Sequence, residues 1–287
     1  FSVEATLRAG EPGHTKFIAL KIKDALVDRL RDKLGARPDV DTRSPDVRVV
    51  AHLARNKLSL SLDLAGEPLH RRGYRAKPTT APLKETLAAA ILRAAKYRGE
   101  ESLVDPMCGS GTLVIEGGLI ATNRAPGLNR KFSVERWPHM GEQARDILRD
   151  LREDARKAIR TSPVPIVGFD KSADAVLAAR QNVKAAGLDE TVRILERDAT
   201  KELPVPETPG LIVTNPPYGE RIGSGGQKGM KTFYYQLGES LGALKGWRLA
   251  VLSGNPAFES AFHMRPSHRR KLWNGPIECD LLEYGPR

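Results

Sequence analysis

Four short apolar runs, each closed by a residue that can bind a ligand, constrain this chain more than any other feature. They are Ser102-Leu103-Val104-Asp105, Pro165 to Phe169 closed by Asp170, Val192 to Leu195 followed by Asp198, and Leu211 to Thr214 followed by Asn215. Helical stretches lie between them, at Gly111 to Ala121 and at Ala175 to Ala186 before Gly187. Strands alternating with helices argue for a doubly wound α/β domain. An alanine-rich helix from Pro82 to Lys96, with proline in its first turn, precedes the first run. A helix over Phe233 to Leu244, a fifth strand over Trp247 to Leu252 and a hairpin of Arg270 to Trp273 with Cys279 to Glu283 complete it. Two segments interrupt the alternation. Residues 123–162 read as a polar, charged insertion with a helix from Gly141 to Arg160. Residues 219–231 hold five glycines and read as a flexible loop.

Residues 1–77 follow a different pattern. Phe1 to Arg8 reads as a strand. Ile18, Ile22, Leu26, Leu30 and Leu34 form a helical apolar stripe that stops at Gly35. Val47, Val49, Ala51 and Leu53 alternate, as do Leu58, Leu60, Leu62 and Leu64 after a polar Arg55-Asn56-Lys57 break, which predicts a hairpin. The basic stretch His70 to Pro78 reads as a linker whose Arg71, Arg72, Arg75 and Lys77 are candidates for touching phosphates. The expected division is therefore 1–77, a small α+β unit with its linker, and 78–287, the α/β domain.

Composition narrows the partners. A length of 287 residues suits two domains. No apolar run approaches the roughly 18 residues that a membrane span needs. Beginning at Phe1, the chain reads as a piece of a longer polypeptide. Two isolated cysteines, Cys108 and Cys279, fit neither a disulfide framework nor a zinc site and agree with a reducing cytoplasm. The histidines at 139, 263 and 268 lack a spacing for metal or a catalytic triad, so no metal site is expected. A net charge of +11 points to a polyanion, and residues 1–77 hold 16 Lys and Arg against 10 Asp and Glu, more than half of that excess.

The strand ends carry the chemistry. Asp105-Pro106-Met107-Cys108-Gly109-Ser110-Gly111-Thr112 joins the first strand to its helix, where open α/β sheets bind nucleotide-like ligands. Gly109 and Gly111 permit a tight turn and close approach of backbone to ligand. Val114 stands where a dinucleotide fingerprint needs a third glycine, and no Lys-Ser/Thr pair follows, so NAD, FAD and a Walker loop are all disfavoured. Asp170 is placed to accept from ribose hydroxyls and Asp198 from an adenine amine, although an acid at a strand end can equally cap a helix. Asn215-Pro216-Pro217-Tyr218 offers two acceptors, the Asn215 side-chain carbonyl and the Pro216 carbonyl, held rigidly by consecutive prolines. Such a pair can orient an exocyclic amine on a base while Tyr218 stacks on its ring. A strand end followed by a Pro-Pro turn is the plainer alternative.

This ordered set resembles the class I S-adenosylmethionine-dependent methyltransferases, and Asn-Pro-Pro-Tyr resembles the motif of their amine-methylating branch. The resemblance implies a Rossmann-like domain with a seven-stranded mixed sheet. It places Asp105, Gly109 and Gly111 around the methionine part of the cofactor, Asp170 on ribose and Asp198 at adenine, and counts Pro106, Thr112 and Asn215 among the cofactor-binding residues. Ala81 to Thr86, Asp105 to Thr112, Ala121 to Gly127, Asn215 to Arg221 and Asn274-Gly275-Pro276 are similar to the bacterial large-subunit ribosomal RNA guanine-N2 methyltransferases. In that family an RNA-binding THUMP domain precedes the catalytic one, and residues 1–77 look like its C-terminal part. The implied activity is methyl transfer to a guanine N2 amine in 23S ribosomal RNA, with RNA as partner. Transfer RNA guanine, adenine N6, a protein glutamine amide and a catalytically inactive RNA-binding module are the alternatives. The insertion at 123–162 lengthens the distance from Gly111 to Asp170 relative to a generic member.

Overall fold

The structure, a computed structural model, describes residues 1–9, 11, 13–75, 83–138, 140–219 and 226–286. In chain order the N-terminal elements are β1 (Ser2–Leu7), α1 (Thr15–Leu34), β2 (Arg48–Ala54) and β3 (Lys57–Asp63). Next come α2 (Glu85–Ala94), β4 (Ser102–Asp105), α3 (Thr112–Ala121), α4 (Gly141–Lys157), β5 (Ile166–Asp170), α5 (Ala173–Ala185) and β6 (Val192–Glu196). The rest are β7 (Gly210–Thr214), α6 (Gly226–Gly242), β8 (Arg248–Ser253), α7 (Phe258–Phe262), β9 (His268–Asn274) and β10 (Ile277–Tyr284). They gather into two compact units, residues 1–69 with 130–154 and residues 70–129 with 155–287.

The first unit is a three-stranded sheet in which β1 runs parallel to β2 and β2 antiparallel to β3. The two-residue turn between β2 and β3 puts Arg55 and Asn56 at φ 51° and 61°, the paired positive φ that suits a tight hairpin. One face is apolar throughout: Val49, Ala51 and Leu53 on β2 lie opposite Leu62, Leu60 and Leu58 on β3. Helix α1 packs on the β1 side of the sheet. Ala51 is buried, whereas Leu58, Leu60 and Leu62 are each half exposed. Residues 130–154 close the unit by hydrogen bonds to strand ends and loops. The Trp137 indole donates to the Asp46 carbonyl at 2.9 Å, Arg130 donates to the carbonyls of Glu67 and Pro68, and the Val134 N–H reaches the Leu64 carbonyl at 3.2 Å. Most of the polar insertion is thus a structural part of the N-terminal unit, a long-range pairing that its local composition does not reveal.

The second unit is a seven-stranded sheet in the order β6-β5-β4-β7-β8-β10-β9. Strands β4 to β8 are parallel, and β10 enters antiparallel between β8 and β9. Successive residues point to opposite faces of a sheet covered on both sides, so the strands are apolar throughout. Leu103, Leu211 and Leu252 join a core with Leu92 and Ile115. Val104, Ile212 and Val251 join a second core with Tyr234, Phe258 and Phe262.

The expected elements are present with shifted ends. Helix α2 starts at Glu85, after an extended Lys84, and Pro82 lies outside the described residues. Helix α4 ends at Lys157, short of Arg160. Residues 226–231, expected in a flexible loop, are the first turns of α6. Met230, Tyr234, Leu237 and Leu241 are all buried along one face of that helix. Burying each is worth roughly 1.5–3 kcal/mol against about 1 kcal/mol for a glycine in a helix, so packing overrides propensity. The rest of the expected loop, 220–225, lies outside the described residues.

Candidate active site

The parallel strands end on one side of the sheet, and their order places Asp198, Asp170, Asp105 and Asn215 on the ends of four neighbours, β6, β5, β4 and β7. The crevice is built from the loop after β4. Gly109 and Gly111 take φ of 53° and 86°, and Gly111 N–H closes the turn onto the Cys108 carbonyl at 2.8 Å. A side chain there would be strained, which explains the two glycines. The Cys108 N–H donates to the Phe169 carbonyl at 2.7 Å, and the Asn182 side chain donates to the Ser110 carbonyl at 2.9 Å. Val114, where a third glycine was missing, is fully buried inside α3.

Each acid has a definite environment. Asp170 accepts from the Gly109 N–H with Oδ2 and from the Ser172 N–H with Oδ1, both at 2.9 Å, so it ties the glycine loop to β5. Asp198 accepts from the backbone and hydroxyl of Thr200 through Oδ1, and these bonds hold its carboxyl below the ordinary range. Asp105 is 1% exposed and accepts from the Met107 N–H at 3.1 Å. Burial raises its pKa to about 7, which the Met107 N–H only partly opposes, and the Asp170 carboxylate raises it further. Pro106 is buried beside it. Thr112 begins α3, and its hydroxyl accepts from the Arg75 guanidinium at 3.1 Å.

The Asn-Pro-Pro-Tyr segment is clamped at three points. The Tyr234 hydroxyl donates to the Pro217 carbonyl at 2.7 Å, and the Asn255 side chain donates to the Tyr218 carbonyl at 2.9 Å. The Tyr218 hydroxyl donates to Asn215 Oδ1 at 2.5 Å and receives a hydrogen bond from the Cys279 thiol at 3.5 Å. Among the described residues no donor reaches the Pro216 carbonyl. The Tyr218 ring lies on Gly254, where a Cβ would stand 3.0 Å from it. Tyr218 is thus engaged through both its ring and its hydroxyl, and the sequence pattern does not reveal this restraint on Asn215. Nor does it point to Tyr234, Asn255 or Cys279, because they reach the motif only through the fold. Asn255 carries a faint signal, since it follows β8 by two residues much as Asn215 follows β7.

Two arginines of the basic linker make ion pairs inside the unit. Arg72 pairs with the buried Glu116 at 3.3 Å, and the Tyr74 hydroxyl donates to the same carboxylate. Arg75 pairs with the buried Glu85 at 3.1 Å. Both guanidiniums point into the unit and brace α2 and α3 through buried acids that the local sequence does not reveal. Arg71 is exposed, and Lys77 lies outside the described residues, as do Ala81 and Pro82.

The strand order, the reversed β10 and the acid-tipped crevice define a class I methyltransferase fold. Residues 72–283 match the RMKL-like methyltransferase domain model, and residues 1–63 match the THUMP domain model. The chain belongs to the RMKL-like methyltransferase-domain family. It is 44% identical over 295 residues to the "Ribosomal RNA large subunit methyltransferase K/L" of Syntrophotalea carbinolica, covering 99% of this chain and 41% of that protein. The chain thus spans about two fifths of the length of the curated relatives it matches. A solved structure of a protein complexed with SAH superposes with a TM-score of 0.84 at 30% identity, covering 100% of this chain and 75% of the other. A Listeria monocytogenes structure described as a predicted N6-adenine-specific DNA methylase superposes with a TM-score of 0.85 at 29% identity, covering 99% and 73%. Among the described residues no group of three or more metal-ligating side chains occurs, and no helix is long and apolar enough to cross a membrane.

Proposed function

We propose that this chain transfers a methyl group from S-adenosylmethionine to the N2 amine of a guanine in large-subunit (23S) ribosomal RNA, with residues 1–77 contributing to RNA binding and 78–287 to catalysis. The observation that carries the reading is the pair of acceptors at the end of β7, Asn215 Oδ1 and the Pro216 carbonyl, beside the crevice after β4. The name of the Syntrophotalea relative supports ribosomal RNA as substrate. The SAH in the superposed structure, the form S-adenosylmethionine takes after losing its methyl, supports the donor.

The residues present fit that donor. Asp105 is a buried acid short of positive charge, and a cationic ligand would relieve it. Asp105, Pro106, Gly109, Gly111 and Thr112 would hold the methionine part, Asp170 the ribose and Asp198 the adenine. Bound there, S-adenosylmethionine supplies an electrophilic methyl. The protein's part is positioning. A carbonyl oxygen has two lone pairs, so Asn215 Oδ1 can accept from the substrate amine while Tyr218 occupies the other. With the Pro216 carbonyl as second acceptor, the amine lone pair is aimed at the methyl, and orientation of this kind removes several kcal/mol of barrier without a dedicated base. The base must leave its stack, at a cost of a few kcal/mol offset by edge hydrogen bonds and stacking in the pocket.

Adenine N6 is the second reading, favoured by the description of the Listeria structure. Labelled methyl transfer to unmodified large-subunit RNA fragments, followed by nucleoside analysis, separates the two. N2-methylguanosine is expected; label on adenosine, or only on transfer RNA, overturns the first reading. Asn215→Ala should lower kcat by about 10²–10³-fold with cofactor affinity little changed, the size of effect seen when one transition-state hydrogen-bonding group is removed.

A further inference from the structure

At the opposite end of the sheet from the glycine loop, two clefts of about 820 and 910 Å³ open beneath the strands and share Arg124 and Arg160. The first lies past the C-terminal ends of α2 and α3 and is lined by Arg93, Tyr97 and Arg98. The second lies where β5 and β6 begin and is lined by Arg193. We propose that these clefts form one groove that binds the phosphodiester backbone of the RNA substrate at several consecutive phosphates. This rests on RNA being the substrate and adds a binding surface remote from the methylated base.

Charge decides the ligand. Among the described residues none of Arg93, Arg98, Arg124, Arg160 and Arg193 has a carboxylate partner, whereas Arg72 and Arg75 nearby in sequence do. Arg124 and Arg160 are held in place through backbone carbonyls: Arg124 donates to Gly187 at 3.2 Å and Arg160 Nε to Ala121 at 3.0 Å. Such bonds orient a guanidinium without neutralising it. The Nε of Arg124 is buried without a hydrogen-bond partner, as is the hydroxyl of Tyr97, which is itself 2% exposed. The acids that line the groove are few. Glu116 is paired with Arg72, and Glu190 and Glu207 lie in the second cleft alone. Arginines gathered with so few acids among them repel one another, and phosphate is an anion whose geometry their planar donors match. Two joined clefts are too large for one phosphate and suit a chain of them. Phosphate binding of this kind carries affinity and register without sequence information.

The test uses this chain, a fluorescein-labelled fragment of large-subunit ribosomal RNA and anisotropy titrations over a range of salt. Arg93 and Arg98 are exposed, so the double variant Arg93→Gln/Arg98→Gln should fold. It should bind RNA about 10-fold more weakly, with a salt slope lower by about 2, roughly one for each phosphate left without its arginine. Lys245→Gln, which lines neither cleft, should match the wild type, and cofactor binding should be equal in all three. If the double variant binds like wild type while wild type methylates RNA, the groove is wrong and the function stands. An equally weakened Lys245 variant also overturns the groove, since net charge alone would then account for it. If wild type binds no RNA, the functional reading falls with it.

Discussion

The two units solve the same problem, hiding an apolar sheet, with different completeness, and the difference shows where this chain invests its order. In the seven-stranded sheet both faces are covered, and Leu103, Val104, Leu211 and Ile212 are at most 1% exposed. In the three-stranded sheet a single helix covers one side of the apolar face, and Leu58, Leu60 and Leu62 remain at least 50% exposed. Catalytic groups must be held to within fractions of an ångström, and the strand ends of the closed unit, where the candidate site residues lie, are the elements that can hold them so.

Stability measurements would break this comparison most directly. Leu103→Ala should destabilise the closed unit by about 2–5 kcal/mol, because the cavity it leaves cannot collapse between two packed layers. Leu60→Ala should change stability by less than about 1 kcal/mol, since water already reaches that side chain. Denaturant titrations followed by hydrogen exchange in each unit report both; equal losses would mean that the β3 face is covered in solution.

The buried acid sharpens the contrast next. With its pKa raised to about 7, Asp105 keeps in the folded chain, between about pH 4 and 7, a proton that the unfolded chain has lost. Native protein then binds more protons than unfolded, so stability of the ligand-free chain falls as pH rises through that window, by up to about 4 kcal/mol. Cofactor affinity should rise over the same interval, because the ligand's positive charge favours the carboxylate. Calorimetric titrations at pH 5.5 and 8 check this, and Asp105→Asn should flatten both dependences. No exposed acid of the three-stranded unit should produce such a slope.

The smallest effect concerns Tyr218. Tyr218→Phe keeps the ring on Gly254 and removes the hydroxyl from Asn215 Oδ1. Without that restraint kcat should fall by about 10-fold, the value of one hydrogen bond, with KM for RNA nearly constant. Unchanged kcat and KM would instead mark Tyr218 as a stacking platform alone, since phenylalanine keeps the ring.

Much of the closed unit is legible in the order of its residues. Asp105, Asp170, Asp198 and Asn215 each end an apolar run, and a parallel sheet brings strand ends together whatever the loops do. Local rules failed where partners are distant in sequence. Glycines at 226 and 229 spoke for a loop until Met230, Tyr234, Leu237 and Leu241 found a core. Arg72 and Arg75 looked like surface charge until Glu116 and Glu85, some 44 and 10 residues on, turned them inward.

What the sequence alone determined is therefore the kind of protein this is: an alternating α/β chain with a glycine loop, three strand-end acids and an Asn-Pro-Pro-Tyr after the fourth strand, because periodicity and strand-end chemistry are local. Tertiary structure decided which unit residues 130–154 complete, which arginines are braces and which are left without counter-charge, and that Asn215 is held by Tyr218 with Cys279 behind it. Those outcomes depend on burial and on pairings between residues far apart in the chain, and no local pattern encodes them.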